Sequence, residues 1–268
     1  MKKLYTIIGL AACTLAGVNA ATIIDWDLVV SEDFSGTGAG NAITAYNTTA
    51  SPNTSLTYAR VSGGTGSSLT AIDSEKLGTA ASLVSTSASS LTGLGCSGID
   101  SFSAGKLSFD FNIVSSGTLF FALGDGSTFT SNSTFTGSHL SLGLQVSGSN
   151  LQNRSSGGAW SNLSTISLDT KYSLTMVFNN SGEEISYDGG NLLADGMADI
   201  WLGGVLISTV TLTSAMDATA FRIYTTSGSA EIANVQLYTY TPIPEPSTWL
   251  LLGAGVAFAV VVRRKRIN

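Results

Sequence analysis

Leu107-Ser108-Phe109-Asp110-Phe111-Asn112-Ile113 alternates apolar and polar side chains without a break. A period of two places Leu107, Phe109, Phe111 and Ile113 on one face of an extended chain and Ser108, Asp110 and Asn112 on the other. The pattern returns downstream. Leu140, Leu142, Leu144 and Val146 alternate with Ser141, Gly143, Gln145 and Ser147, and Tyr172, Leu174, Met176 and Phe178 alternate with Ser173 and Thr175. Strands with one apolar face belong to antiparallel sheets that pack on one side and meet water on the other.

Working outward, further strands are expected near Ile23–Val30, Leu56–Val61, Thr118–Leu123, Asp199–Leu202, Val205–Leu212, Ala220–Tyr224 and Glu231–Tyr240. Turn residues separate them: Gly124-Asp125-Gly126, Asn179-Asn180-Ser181-Gly182, Asp188-Gly189-Gly190-Asn191 and Gly203-Gly204. About ten short strands without helical periodicity between them predict an all-β fold, an antiparallel two-sheet β-sandwich of the jelly-roll kind. Residues 35–101 carry runs such as Ser85-Thr86-Ser87-Ala88-Ser89-Ser90, and polar loops are expected to dominate there. No repeat of 20–50 residues is present, which excludes a propeller or a solenoid.

The two ends read differently from the body. Lys2-Lys3, an apolar run to Val18 and then Val18-Asn19-Ala20 form a signal peptide, with cleavage after Ala20. Leu10-Ala11-Ala12-Cys13 also fits a lipobox, in which Cys13 would become a lipidated N-terminus. At the far end, Trp249 to Val262 is a run of 14 uncharged residues followed by Arg263-Arg264-Lys265-Arg266. As a helix it spans about 21 Å, short of the roughly 30 Å hydrocarbon core. The interfacial Trp249 and the snorkelling cations extend its reach, and the cations keep the tail on the cytoplasmic side. The expected organisation is a signal peptide (1–20), a β-sandwich ectodomain (21–241) and a C-terminal segment with one transmembrane helix (242–268).

That last segment resembles the PEP-CTERM sorting signal: Ile243-Pro244-Glu245-Pro246-Ser247-Thr248-Trp249 with its apolar run and basic tail follow the order of that family, with Ile243 where Val is usual. The resemblance implies recognition by an exosortase, a membrane-embedded cysteine peptidase associated with exopolysaccharide production. It further implies an inner-membrane-anchored precursor destined for the cell surface or extracellular matrix. Pro244, Glu245 and Pro246 would be the sorting motif. Such tails sit on many unrelated domains, so nothing follows for the ectodomain.

Charge narrows the ectodomain's partners. Residues 21–241 hold six cations (Arg60, Lys76, Lys106, Arg154, Lys171 and Arg222) against 17 carboxylates, a net charge of −11. Such a body repels nucleic acid and anionic membrane while tolerating neutral glycans or a weakly held divalent cation. Loss of Cys13 with the signal leaves Cys96 alone, without a disulfide and without a neighbour to make it a thiolate; it reads as a buried structural thiol.

A second resemblance covers most of the body. Lys106–Phe111, Leu119–Gly126, Lys171–Phe178, Ala198–Gly204 and Ile232–Tyr238 are similar in pattern to laminin-G/concanavalin-A-like domains, with Glu32-Asp33-Phe34 as an opening strand. Glycosidases of that fold use a Glu-x-Asp-x-x-Glu run, which is absent here. Glu183, Glu184, Asp195 and Asp199 read as surface charge rather than as paired carboxylates. His139 is the only histidine, too little for zinc and without a nucleophile elbow for a triad. No catalytic residue and no cofactor are therefore assigned. Calcium is the cation the loops could hold, through Asp188-Gly189-Gly190-Asn191 or Asp125-Gly126, though the same residues are also those of tight turns. Trp160 and Trp201 read first as core aromatics, with an exposed sugar-stacking platform as the alternative for Trp160. Trp160, Asp188 and Asn191 are accordingly the ligand-contact candidates of a surface protein that associates with exopolysaccharide or other glycans. A passive envelope or biofilm protein, or a divergent glycosidase, are the alternatives.

The intact mass of the protein recovered from its own host tests the two ends. The expected species begins at Ala21 and ends near Pro246; a membrane-bound species retaining Asn268 would show the tail to be an ordinary anchor.

Overall fold

The computed structural model describes residues 22–43, 56–62, 65–87, 91–125 and 139–242, with the side chains of 22–25, Tyr58, Ser62 and 241–242 left aside. The predicted signal peptide and its cleavage site lie outside the described residues, as do the sorting motif, transmembrane helix and basic tail. Among the described residues there are fifteen strands and no helix long and apolar enough to cross a membrane.

Two very long strands organise the rest: β6 (Ala104–Gly124) and β15 (Ala218–Pro242), antiparallel to each other over most of their lengths. The first half of β6 pairs with β10 (Lys171–Asn179), which continues to β13 (Met197–Leu202) and β14 (Val205–Thr211). On the other side, the second half of β15 meets β1 (Thr22–Glu32) and, at Gly228–Ile232, the hairpin of β3 (Ser68–Ser74) and β4 (Gly78–Ser85). These strands form layer one. The second half of β6 pairs instead with β7 (Leu140–Ser147), then β8 (Asn150–Arg154) and β9 (Trp160–Thr165). The first half of β15 pairs with β5 (Leu91–Phe102), which carries β2 (Tyr58–Ser62). These form layer two. A small hairpin, β11 (Ile185–Tyr187) with β12 (Asn191–Leu193), joins the N-terminal end of β1 in parallel.

The layers face each other because both long strands turn a corner together. Phe109 and Phe121 belong to one strand, yet their ring centroids are 4.9 Å apart, and Phe111 lies 5.5 Å from Phe121. Leu107, Ile113, Leu119 and Leu123 of β6 share that interior with Leu142, Leu144, Leu174, Phe178, Phe221, Ile223 and Leu237. Truncating a fully buried phenylalanine such as Phe111 in such a core costs about 3–5 kcal/mol.

The β-sandwich expected from the alternation is observed, with two differences. Residues 107–113 and 118–123 are halves of one bent strand, as are 220–224 and 231–240, so the two layers are one continuous folded sheet. The strand expected at Leu56–Val61 is β2, but the rest of residues 35–101, expected to be mainly loop, holds β3, β4 and most of β5. Their inward positions are filled by Leu69, Ala71, Ala81, Leu83 and Leu94, several of them alanines that carry little hydropathy signal among serines and threonines. Gly203 and Gly204 make the expected two-residue hairpin with φ of 60° and 79°, bracketed by the Leu202–Val205 pair.

At the corner, register shifts cluster between Thr225 and Ala230. Gly228 has φ 79°, and a Cβ there would lie 2.5 Å from the Ser116 carbonyl oxygen; a Cβ on Gly117 would lie 1.9 Å from that of Ser227. Gly117→Ala or Gly228→Ala should each lower stability by about 1–3 kcal/mol in denaturant titration. Gly36→Ala, with open space around it, should stay within about 0.5 kcal/mol.

Candidate functional site

The two outer faces of the sandwich differ in chemistry. On layer one, the β11–β12 hairpin folds over the sheet. Ile185, Tyr187 and Leu193 form a second small core with Ala104 and Val177, flanked by Trp26, Trp201 and Tyr240. Asp199 lies beneath it, 3 % exposed. The Tyr187 hydroxyl donates to Asp199 Oδ2 at 2.5 Å and Thr209 Oγ1 donates to Oδ1 at 2.5 Å, while Trp201 Nε1 donates to the Tyr187 hydroxyl at 3.1 Å. Burial, with the Asp199 carboxylate beside it, pushes the Tyr187 phenol well above its ordinary value. Asp199 is therefore a buried hydrogen-bond hub, correcting the expectation of a surface charge. Glu183, Glu184 and Asp195 are exposed as expected.

Trp201 is not a sandwich-core residue either. It lines an outer cleft of about 270 Å³ together with Thr175, Val177, Asp188, Asn191 and Gly204. The structure thus brings Asp188 and Asn191 together but commits both. Asp188 Oδ1 accepts from Trp26 Nε1 at 2.9 Å, and its two oxygens accept from Lys106 Nζ at 3.2 and 3.1 Å. Lys106 is also held 4.9 Å from the Trp26 ring centroid and 5.0 Å from that of Tyr238. Asn191 Nδ2 donates to the Asp188 carbonyl at 3.0 Å and closes its own turn. The cation at Asp188 is an ammonium group of the protein itself. Among the described residues no group of three or more His, Cys, Asp or Glu converges to hold a metal ion.

Elsewhere on this face, Asp110 accepts from Ser173 Oγ at 2.5 Å, from Asn234 Nδ2 at 2.8 Å and from Lys171 Nζ at 2.9 Å. Desolvation pushes its carboxyl up, but the donors from Ser173, Lys171 and Asn234 outweigh burial and hold it below the usual carboxylate range. Cys96, buried in β5, has its thiol pushed up by desolvation, as befits a structural residue. His139 Nδ1 lies 3.3 Å from Asp125 Oδ2 at the β6–β7 end.

On layer two, register alone sets two transverse rows. One runs Arg60, Gly93, Tyr224, Phe120, Gln145, Gln152 and Asn162 across the strands. Within it, Gln145 Nε2 donates to Gln152 Oε1 at 2.6 Å, and Gln152 Nε2 donates to Asn162 Oδ1 at 2.6 Å. Phe120 and Tyr224 stack at 4.7 Å with their planes 10° apart. The neighbouring row places Arg222 beside Gly95 and Ala122, and Arg154 beside Trp160. The Arg222 guanidinium lies 4.5 Å from the Tyr224 ring and that of Arg154 lies 5.6 Å from the Trp160 ring. Trp160 is half-buried on this outer face, 6.1 Å from Phe120, and takes no part in the sandwich core. It sits on the opposite side of the protein from Asp188 and Asn191. Sequence reasoning placed Gln145 on a polar face but missed the row, because register between distant strands leaves no local signal.

Residues 242–266 match the family model of the PEP-CTERM protein-sorting motif. The tail is a PEP-CTERM sorting signal. It marks an exported, membrane-anchored precursor sorted by an exosortase to the cell surface. The PEP-CTERM match covers the tail alone, and no curated protein is similar in sequence. Among solved structures, a sialidase is 12 % identical over 68 % of this chain with a TM-score of 0.50, and this chain spans 17 % of the sialidase's length. A Bacillus subtilis protein of unknown function with a galectin-like fold is 11 % identical, covering 70 % of this chain and 92 % of its own, with a TM-score of 0.43. The cellulose-induced protein Cip1 is 11 % identical, covering 68 % and 91 %, with a TM-score of 0.43. At these identities the likeness is one of β-sandwich fold alone.

The lowered Asp110 value sets a pH window. Its stabilising contribution is full above the unfolded carboxyl value of about 3.9 and is lost as pH falls through the folded value. Asp110→Asn should therefore cost about 1–3 kcal/mol at pH 7. That deficit should shrink when denaturation is repeated near pH 3; a deficit independent of pH would contradict the assigned role.

Proposed function

We propose that this PEP-CTERM protein is a non-catalytic surface protein whose ectodomain associates with polysaccharide through the outer face of layer two. The observation that carries the reading is the half-exposed Trp160 ring beside the Gln145–Gln152–Asn162 amide ladder. A sugar offers an apolar C–H face and a rim of hydroxyls. An aromatic ring takes the first, and side-chain amides, each donor and acceptor at once, take the second. Arg154 holds the indole in place from its neighbouring strand.

The non-catalytic reading is supported by the carboxylates of the opposite face: Asp110, Asp188 and Asp199 are each engaged by two or more donors of the protein. The link between exosortases and exopolysaccharide supplies a ligand in the right compartment, and release into the extracellular matrix would follow removal of the tail.

Retention of the detergent-solubilised full chain on a panel of immobilised polysaccharides tests the reading. Wild type should be retained on at least one, and Trp160→Ala should lose that retention while its melting temperature stays within about 3 °C. Absence of retention on every polymer would leave a passive structural protein, and turnover of any of them would make it a glycosidase.

A further inference from the structure

The cleft on the outer side of layer one lies between two strands and two turns. β10 contributes Thr175 and Val177, β13 contributes Trp201, the β11–β12 turn contributes Asp188 and Asn191, and the β13–β14 turn contributes Gly204. Thr175 and Trp201 are register neighbours and so share a face. At about 270 Å³ the space falls just below the roughly 300–1,000 Å³ of pockets for drug-sized ligands, which suits a single sugar ring. Trp201 Nε1 is given to the Tyr187 hydroxyl, so the indole is held in place and offers the cleft apolar surface. Asp188 and Asn191 hold their own turn, yet each keeps an acceptor. Asp188 Oδ2 receives Lys106 Nζ at 3.1 Å, its side chain is 45 % exposed, and a carboxylate oxygen takes about two donors. Asn191 spends its Nδ2 on the Asp188 carbonyl, and its Oδ1 accepts from none of the described residues. Nor does the Thr175 hydroxyl bond to any of them.

We infer that this cleft is a second sugar site, sized for one neutral pyranose ring, and that the ectodomain therefore cross-links polysaccharide chains. The cross-linking rests on the reading of layer two above; the cleft stands on its own geometry. A pyranose lays its C–H face on the Trp201 ring and turns its hydroxyls to Asp188, Asn191 and Thr175. The ligand is neutral because the charges already cancel: Lys106 matches Asp188, and the Trp26 and Tyr238 rings hold that ammonium group where it is. An anion would meet the Asp188 carboxylate, and a cation would have to displace Lys106. Because Asp188, Asn191 and Trp201 are fixed by the protein's own bonds, little ordering entropy remains to be lost on binding. Trp160 and Trp201 lie on opposite outer faces of a sandwich whose sheets pack about 10 Å apart. One stretch of polymer cannot lie on both, so two occupied sites hold two stretches.

Saturation-transfer NMR tests this on the full chain, solubilised in a detergent without a sugar headgroup, with methyl α-glucoside, methyl α-galactoside and methyl α-mannoside as probes. At least one glycoside should receive magnetisation from wild type and also from Trp160→Ala, which removes the layer-two ring. Thr175→Trp, which fills the cleft, should abolish the signal in the Trp160→Ala background. Thr175→Val removes only the hydroxyl, guards against misfolding of the tryptophan variant, and should weaken binding in that background by about three-fold or more. A labelled soluble polymer of the responding sugar (dextran, galactan or mannan) should be carried by wild type onto beads of the same polymer. Neither Trp160→Ala nor Thr175→Trp alone should carry it, though each should still bind the beads.

Loss of the whole glycoside signal in Trp160→Ala, with no effect of Thr175→Trp, would overturn the second site while the polysaccharide reading stands. No signal from any of the three glycosides would overturn it as well, leaving retention on polymers to judge layer two. Labelled polymer still carried by Thr175→Trp would place the second contact elsewhere and overturn the cross-linking. A cleft signal that survives while no polymer is retained through Trp160 would overturn the layer-two reading, and the cross-linking with it, but not the cleft.

Discussion

The architecture depends on one close backbone approach, where Gly117 of β6 passes Ser227 and Gly228 of β15. Two paired strands can leave one layer and enter the next only if both bend at the same level. A side chain at either glycine would occupy the neighbouring carbonyl's space. Because the bend is shared, each strand contributes its apolar alternation to both walls of the core. Phe109 and Phe121 then meet across it, although only the bend separates them in sequence. Bulges commonly serve this purpose where a sheet must curl on itself.

The same bend gives the two outer faces different fates. Layer one is overlaid by the β11–β12 hairpin, and its aspartates are tied up with Tyr187, Thr209, Trp26, Lys106, Ser173 and Asn234. Its polar groups hold the fold together. Layer two places small residues (Gly93, Gly95 and Ala122) beside arginines, aromatics and amides. Gln145, Gln152 and Asn162 are ordered by one another, and Asn162 at the end of the ladder is exposed. Order of that kind, set before any ligand arrives, reduces the entropy lost on binding.

Much of the fold was legible in the alternation at 107–113, 140–146 and 172–178, because each of those strands buries one face in a common core. The hairpin at Gly203-Gly204 was legible because two successive positive φ angles favour glycine. The strands within 68–85 were not, since alanines and serines give alternation almost no contrast in hydropathy. Nor was the continuity of β6 and β15: Ser115-Ser116-Gly117 reads as a break, and only pairing with a distant partner keeps it extended. Of the site candidates, Trp160, Asp188 and Asn191 stand out in the sequence by residue type alone. Which of them share a face is a property of strand order, and the turn aspartate proved to be engaged by a lysine 82 positions away. The buried role of Asp199 was hidden for the same reason: its two donors lie 10 and 12 residues along the chain, on separate strands.

β15 also has a mechanical consequence. It begins in the middle of layer two and ends at Pro242, at the threshold of the sorting segment. A pull exerted on the chain beyond Pro242 while layer two is held would run along the axis of this one strand. On its way it is flanked by β6 on one side and by β5, β4 and β1 in succession on the other. Hydrogen bonds perpendicular to such a load resist it in shear, many at once, instead of opening one after another. The strand that turns the corner is thus also the one that runs without interruption from layer two to the edge of the sorting segment.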